Sequence, residues 1–490
     1  MSESVIAGLK PETLWKRFYE ISQVPRPSKK ESKIVEHMKK LFNDLGVEFK
    51  EDKVGNLVAK IKATPGFENS PTVILQGHVD MVCEKNKTTV HDFDNDPIKL
   101  KREDGWIKAD GTTLGSDNGI GVAAALAIIS DKESTHGPLE VLLTIDEETG
   151  LTGANNLAPG FINGKILLNL DSEEDGAFYV GCSGGQDTVA RFNLELEDTP
   201  KGLETFELLV TGLKGGHSGL DIHQNRGNAI KILARIFEAF NKIQFYISSI
   251  NGGSKRNAIP REAESIIYLD KSDVDKAEKI IKEFEKKLKI EYKVSDKGVN
   301  IEFKKSSSGN SKVFSNSFKE KITNTLLALP HGVVSMSQDI PDLVETSTNI
   351  ATISTSKDEL VIGTSQRSSI DSAKIYVAQN VASVFKLAGA KIESGDGYPG
   401  WKPDLDSNVL KMSKNVYKEL YGKEPEIKAI HAGLECGILG DKNPGLDMVS
   451  FGPTIQGAHS PDERVNIETV DKFYNLLKAI LKKIAVQSKN

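Results

Sequence analysis

Cysteine is scarce in this chain of 490 residues, with only Cys83, Cys182 and Cys436. Three scattered thiols build neither a disulfide framework nor a zinc ribbon. They are expected to be small buried residues of a reducing compartment. Long apolar runs are missing as well. Stretches such as 122–129 fall far short of the ~18 residues that a membrane-spanning helix needs. The opening Met1-Ser2-Glu3-Ser4 has no basic start leading into an apolar segment, so no secretory leader is expected and a cytoplasmic location is. Positive charge is not in excess: 63 Lys and Arg stand against 69 Asp and Glu, a net charge of −6. That balance argues against a nucleic-acid binder. Lys282, Lys286 and Lys287 alternate with Glu283 and Glu285, which is the pattern of a solvated helix face. With 38% hydrophobic and 27% charged residues, the composition is that of a globular chain able to bury a large core.

The hydrophobic patterning gives the architecture. A first helix is expected over 11–21. Ser28 and Glu31 have the spacing of a capping box opening a second helix, whose apolar face carries Ile34, Val35, Met38, Leu41, Phe42 and Leu45 before Gly46 stops it. Apolar strands are expected over 72–76, 139–145 and 166–170, with a small-residue helix over 118–130. Apolar strands separated by helices imply an α/β layer around a parallel or mixed sheet. Past residue 190 the strands become amphipathic, and helices are expected near 272–289, 315–328 and 371–388. The expected organisation is therefore a catalytic domain of residues 1–190 and 396–490, interrupted by an α+β domain of residues 191–395.

Chemistry gathers where the apolar strands end. His78 and Asp80 follow the first, Glu147 and Glu148 the second and Asp171 the third, while Asp117 sits in Gly115-Ser116-Asp117-Asn118-Gly119 and His459 in a late loop. In α/β sheets ligands collect beyond the carboxyl ends of the strands. Imidazoles with carboxylates and no thiolates suit zinc, cobalt or manganese. Two such ions ~3.5–4 Å apart act as a clamp on attacking and leaving oxygens. Asp117 is the natural bridge, with His78 and Asp171 completing one site and Glu148 and His459 the other. Glu147 is then left as general base, and Asp80 is placed to orient the His78 ring. Each element alone has a bland reading, such as a helix N-cap for Asp117; the joint pattern is what points to a metal centre.

At these residues the chain resembles a known family. The segments Gln76-Gly77-His78-Val79-Asp80-Met81-Val82, Asp146-Glu147-Glu148-Thr149-Gly150 and Asn169-Leu170-Asp171-Ser172-Glu173-Glu174 look like those of the aminoacyl-histidine dipeptidases. These enzymes, also called peptidase D or cytosol non-specific dipeptidase, belong to the dizinc aminopeptidase and carboxypeptidase superfamily. Gly215-Gly216-His217-Ser218-Gly219, Arg256-Asn257-Ala258-Ile259-Pro260, His431-Ala432-Gly433-Leu434-Glu435-Cys436-Gly437 and His459-Ser460-Pro461-Asp462-Glu463 extend the likeness over nearly the whole chain. Ser116 departs from it, standing where alanine is expected.

The resemblance implies the same metal ligands, His78, Asp117, Glu148, Asp171 and His459, with Glu147 as base. His217, flanked by glycines, is the candidate oxyanion donor, and it matches the family's histidine for that role. Arg367 looks like the superfamily's clamp for a substrate carboxylate, assisted by Asn257, with Arg256 and Arg261 as rivals. Glu435 is a candidate reader of the substrate's free amine, and a structural carboxylate explains it equally well. The implied function is metal-dependent hydrolysis of unblocked dipeptides, Xaa-His among them, by a homodimer joined through residues 191–395, which also form a closing lid. No nucleic acid or membrane partner is expected. The competing functions are a tripeptidase, an N-acyl-amino-acid deacylase, a carboxypeptidase and, more remotely, an inactive binding scaffold.

Overall fold

A computed structural model describes residues 3–487; the outermost residues of the expected catalytic segments, 1–2 and 488–490, lie outside it. The chain divides into two compact units. One comprises Met1–Gly181, Pro403–Ala429 and Leu434–Asn490, and the other Cys182–Lys402 with Ile430–Gly433.

The first unit is built on an eight-stranded mixed sheet. Its strand order is Glu48–Glu51, Leu57–Ile61, Leu139–Thr144, Val73–His78, Ile166–Asn169, Asp447–Ser450, Ala177–Cys182 and Glu426–Ile430. The four central strands, from Leu139–Thr144 to Asp447–Ser450, run parallel. Val73–His78 and Leu139–Thr144 are buried at every position, as continuous apolar strands in the middle of a covered sheet should be. Their register pairs His78 with Thr144 and Gln76 with both Leu142 and Asn169, so all three strands end at one level. Helix Ser116–Ser130 is apolar nearly all round and almost entirely buried. Its small residues let it lie close to the strand ends: a side chain on Gly77 would strike Asn118, and one on Gly121 would strike the Leu170 carbonyl.

The expected capping box does not form. Helix Ser32–Asp44 begins after Glu31 with no side-chain cap. The Ser28 hydroxyl donates instead to Asp80 Oδ2 (2.8 Å), and Glu31 Oε1 accepts the Asp146 N–H (3.1 Å). The helix starts four residues after Ser28 with Glu31 at its cap position, so the two residues do not occupy the places of a capping box, and their side chains tie loops together instead.

The second unit is a nine-stranded antiparallel sheet. It runs Asn300–Lys305, Glu204–Thr211, Ala263–Leu269, Phe245–Gly252, Val344–Thr355, Glu359–Ser368, Gly184–Asn193 and Lys391–Ser394, with Gly332–Met336 paired to Val344–Thr355. Phe206, Leu208 and Val210 alternate inward and pack into one core with helices Ala229–Ala239, Val274–Glu291, Asn316–Ala328 and Asp371–Leu387. Asn228 caps the first of these helices by accepting the N–H groups of Ile230 and Lys231. Among the described residues no helix is long and apolar enough to cross a membrane.

Candidate metal centre

The common level of the parallel strand ends sets His78, the Asp146–Glu148 turn and Asp171 side by side, and helix Ser116–Ser130 adds Asp117. Asp117 does not cap its helix. Its Oδ1 lies 3.0 Å from His78 Nε2 and its Oδ2 lies 3.1 Å from His459 Nε2. The two oxygens of one carboxylate thus address two different imidazoles. Asp171 Oδ1 stands 3.4 Å from His78 Nε2, and Glu148 Oε2 stands 2.9 Å from His459 Nε2. Ligand atoms of His78, Asp117 and Glu148 all fall within 4.8 Å of one another, close enough for one ion.

The electrostatics show a site short of positive charge. Burial pushes the carboxyl pKa of Asp171 up to about 7, although His78 opposes it. Burial likewise drives Glu147 well above the usual carboxylate range, with Asp171, Glu435 and Glu148 adding repulsion. Burial disfavours the His78 imidazolium, yet the surrounding carboxylates of Asp171, Asp117 and Asp80 outweigh it and raise its pKa. His459 is pushed up to about 11 by its contacts with Asp117 and Glu148. Among the described residues, Glu148 Oε1 and Asp171 Oδ1 are buried without a hydrogen-bond partner. Unsatisfied buried oxygens amid concentrated carboxylates are what a divalent cation would satisfy, so the donor set fits a metal.

Asp80 lies behind His78, with Oδ1 3.3 Å from Nδ1. It also accepts the backbone N–H groups of Glu147 (3.0 Å) and Glu148 (3.2 Å), so one carboxylate fixes both the ring and the acidic turn. The Glu147 backbone is therefore anchored while its half-buried side chain makes no hydrogen bond among the described residues. Glu435, only 1% exposed, accepts from Gln76 Nε2 and Thr144 Oγ1 (2.6 Å each) through Oε2, and its Oε1 has no partner. Burial lifts its pKa to about 7.

Several contributors escaped the sequence reading. Asn118 donates to the Leu170 carbonyl (2.7 Å) and pins the Asp171 loop to the helix. Buried Arg26 and Glu463 hold the loop before Asp117. Glu463 lay in a segment already singled out, four residues after His459; Arg26 gave no signal beyond its place between two prolines.

In the second unit, His217 lies in the short strand Gly216–His217, paired with Ala258–Ile259. Its Nδ1 accepts the N–H groups of Gly219 (3.2 Å) and Leu220 (3.0 Å), which assigns the proton to Nε2. Burial and then Arg367 lower its pKa to about 4, so the ring is a neutral donor at pH 7. Arg367 is 7% exposed; it donates to the Tyr398 hydroxyl (3.0 Å), and its Nε is unpaired. His431, 5% exposed, pairs with Ser347 Oγ (2.7 Å), and burial, Arg367 and His217 depress its pKa to about 3. Asn257 is exposed and meets the His217 loop through its carbonyl, which accepts the Ser218 N–H (2.9 Å); its side chain makes no bond to Arg367. Arg256 forms an exposed pair with Asp187, and Arg261 is exposed.

The model of Peptidase family M20/M25/M40 matches residues 74–483. The chain is 42% identical over 482 residues to the cytosol non-specific dipeptidase of Escherichia coli (strain K12), covering 98% of this chain and 99% of that protein. The crystal structure of aminoacylhistidine dipeptidase from Vibrio alginolyticus superposes with a TM-score of 0.88 at 42% identity, covering 98% of both chains. The aminopeptidase PepT structure from Bacillus cereus, 20% identical over 97% of this chain and 99% of its own, shares the fold with a TM-score of 0.58. A family match across most of its length and 42% identity to a relative covered almost end to end assign the chain to Peptidase family M20/M25/M40.

Proposed function

We propose that the chain is a metal-dependent dipeptidase that hydrolyses small unblocked dipeptides, Xaa-His among them. The observation that carries this reading is Asp117, whose two oxygens face His78 and His459 separately. Asp171 stands beside the first imidazole and Glu148 beside the second. His78, Asp117 and Asp171 would hold one divalent ion and His459, Asp117 and Glu148 a second, with zinc favoured over cobalt or manganese. When bound, such a pair polarises the scissile carbonyl and acidifies the attacking water.

The chain's own residues do the rest. Glu147, unpaired and raised in pKa, takes the proton from the attacking water and returns it to the leaving amine. Asp80 keeps the His78 ring and the Glu147 turn in place. His217 offers its Nε2–H to the oxyanion of the tetrahedral intermediate. Arg367 takes the substrate's carboxylate as a two-pronged donor, with Asn257 assisting. Glu435 Oε1, buried without a partner, is assigned to the substrate ammonium. Residues 191–395 serve as lid and as the contact of a homodimer, and the enzyme works in the cytosol. The substrate class is supported by the relatives' own names, a non-specific dipeptidase and an aminoacylhistidine dipeptidase.

The test compares an aminoacyl-histidine dipeptide, an alanyl dipeptide, their N-acetylated forms and a tripeptide. Cleavage confined to the unblocked dipeptides supports the reading. Cleavage of the acetylated forms assigns a deacylase or carboxypeptidase instead, and preference for the tripeptide assigns a tripeptidase.

A further inference from the structure

The loop before Asp117 is held from two sides by buried ions of opposite charge. Glu463, 2% exposed, accepts five hydrogen bonds there. Its Oε2 takes the N–H groups of Leu114 (2.8 Å) and Gly115 (2.9 Å). Its Oε1 takes the Ser116 N–H and hydroxyl (2.7 Å each) and the Asp117 N–H (3.3 Å). Successive N–H groups converging on one anion form a nest. The turn requires Gly115, which has a φ of +68° and whose added Cβ would collide with Arg26 and Met81.

From the other side, Arg26, 2% exposed, donates to the Gly115 carbonyl. The same guanidinium donates to the carbonyls of Val79 (3.0 Å) and Asp80 (2.8 Å), the residues that follow His78. Burial lowers the Arg26 pKa, and Glu463 is the foremost group opposing that loss. The Gly115 peptide thus lies between a guanidinium and a carboxylate. Glu463 belongs to the loop of His459, the Gly115 peptide to the loop of Asp117, and Arg26 reaches the loop of His78.

We propose that Glu463 is a positioning residue that, with Ser116 and Arg26, sets the separation of His78, Asp117 and His459 and so the affinity of the metal centre. This rests on the assignment of those three residues as ligands. Ser116 strengthens the clamp with a fifth donor that alanine, the residue expected there, would lack. A purely structural role would lower stability and leave the affinity of the folded protein unchanged. A positioning role lowers affinity in a protein that is still folded.

The test is calorimetric titration of zinc and cobalt into metal-stripped wild type, Glu463→Gln and Ser116→Ala, with the melting temperature of each metal-free protein and the visible spectrum of each cobalt form. Replacing a partner that orients ligands costs about 10–100-fold in affinity. The proposal expects a loss of that size and an altered cobalt spectrum in E463Q, with a smaller loss, a few-fold, in S116A at a melting temperature lowered only slightly. Wild-type affinity and spectrum in both variants overturn the clamp alone. So does an E463Q variant that fails to fold alongside S116A with wild-type affinity. If wild type itself takes up no metal, the metal-centre reading falls with it.

Discussion

Replacing Glu147 with glutamine should separate activity from stability. Among the described residues the side chain makes no hydrogen bond, while its backbone N–H is held by Asp80 (3.0 Å). Glutamine keeps the shape and that backbone bond, and it removes a carboxylate disfavoured by burial and by Asp171, Glu435 and Glu148. The metal-free variant should therefore be as stable as wild type or more so, the pattern expected where charge is concentrated for function. His78, Asp117, Glu148, Asp171 and His459 are untouched, so metal content should be unchanged. A general base contributes about 10²–10⁴ in rate, or roughly 3–5 kcal/mol at 1.36 kcal/mol per decade. Glu435 is not expected to substitute for it, since Gln76 and Thr144 fix it through Oε2 and its Oε1 is assigned to the substrate ammonium. The upper part of the range is expected. The assay pairs kcat on an alanyl dipeptide with metal analysis and thermal melting of the stripped proteins. Turnover within tenfold of wild type, or a clear drop in metal-free stability, would refute the reasoning.

Four further outcomes follow from the same geometry. His431 stays neutral when folded down to about pH 3, whereas an unfolded histidine protonates near 6.5. The unfolded state therefore binds more protons in that window, so this stability is present above about pH 6.5 and is lost as pH falls toward 3. Denaturation at pH 6 and pH 4 should give His431→Gln a slope shallower than wild type by up to about 1.4 kcal/mol per pH unit. Gly121→Ala, whose Cβ would press on the Leu170 carbonyl and the Asn118 amide, should cost about 1–3 kcal/mol in urea denaturation. Gly395→Ala, with open space around it and no positive φ, should stay within about 0.5 kcal/mol. Arg367→Lys loses the planar fork and should raise KM for dipeptides by about tenfold or more, with much less effect on a dipeptide amide, as steady-state kinetics would show.

Much of the centre could be read in the sequence because its determinants are local. Apolar strands ending in His78, Glu147 and Asp171 reveal both the sheet and the level at which its strands end. The parallel pairing then brings those ends together. Asp117 was ambiguous locally, as N-cap or bridge; in the fold it makes no cap bond and turns its two oxygens to His78 and His459, the placement on which the proposed bridge rests. Glu463 escaped because its partners are some 347 residues away, and nothing in a His-Ser-Pro-Asp-Glu run says that its carboxylate will meet a nest of N–H groups. Arg26 escaped for the same reason, since a lone arginine is ordinarily exposed. The capping-box expectation at Ser28 and Glu31 failed because the helix begins only at Ser32, which leaves the two side chains to meet Asp80 and the Asp146 N–H.

The most direct measurement is hydrolysis of an aminoacyl-histidine dipeptide by enzyme stripped of metal and then resupplied with zinc, cobalt or manganese. The account predicts that stripping abolishes hydrolysis and that resupply restores it, for the unblocked dipeptide and not for its N-acetylated form. Full hydrolysis by enzyme verified to be metal-free, or none with any of the three ions, would contradict it.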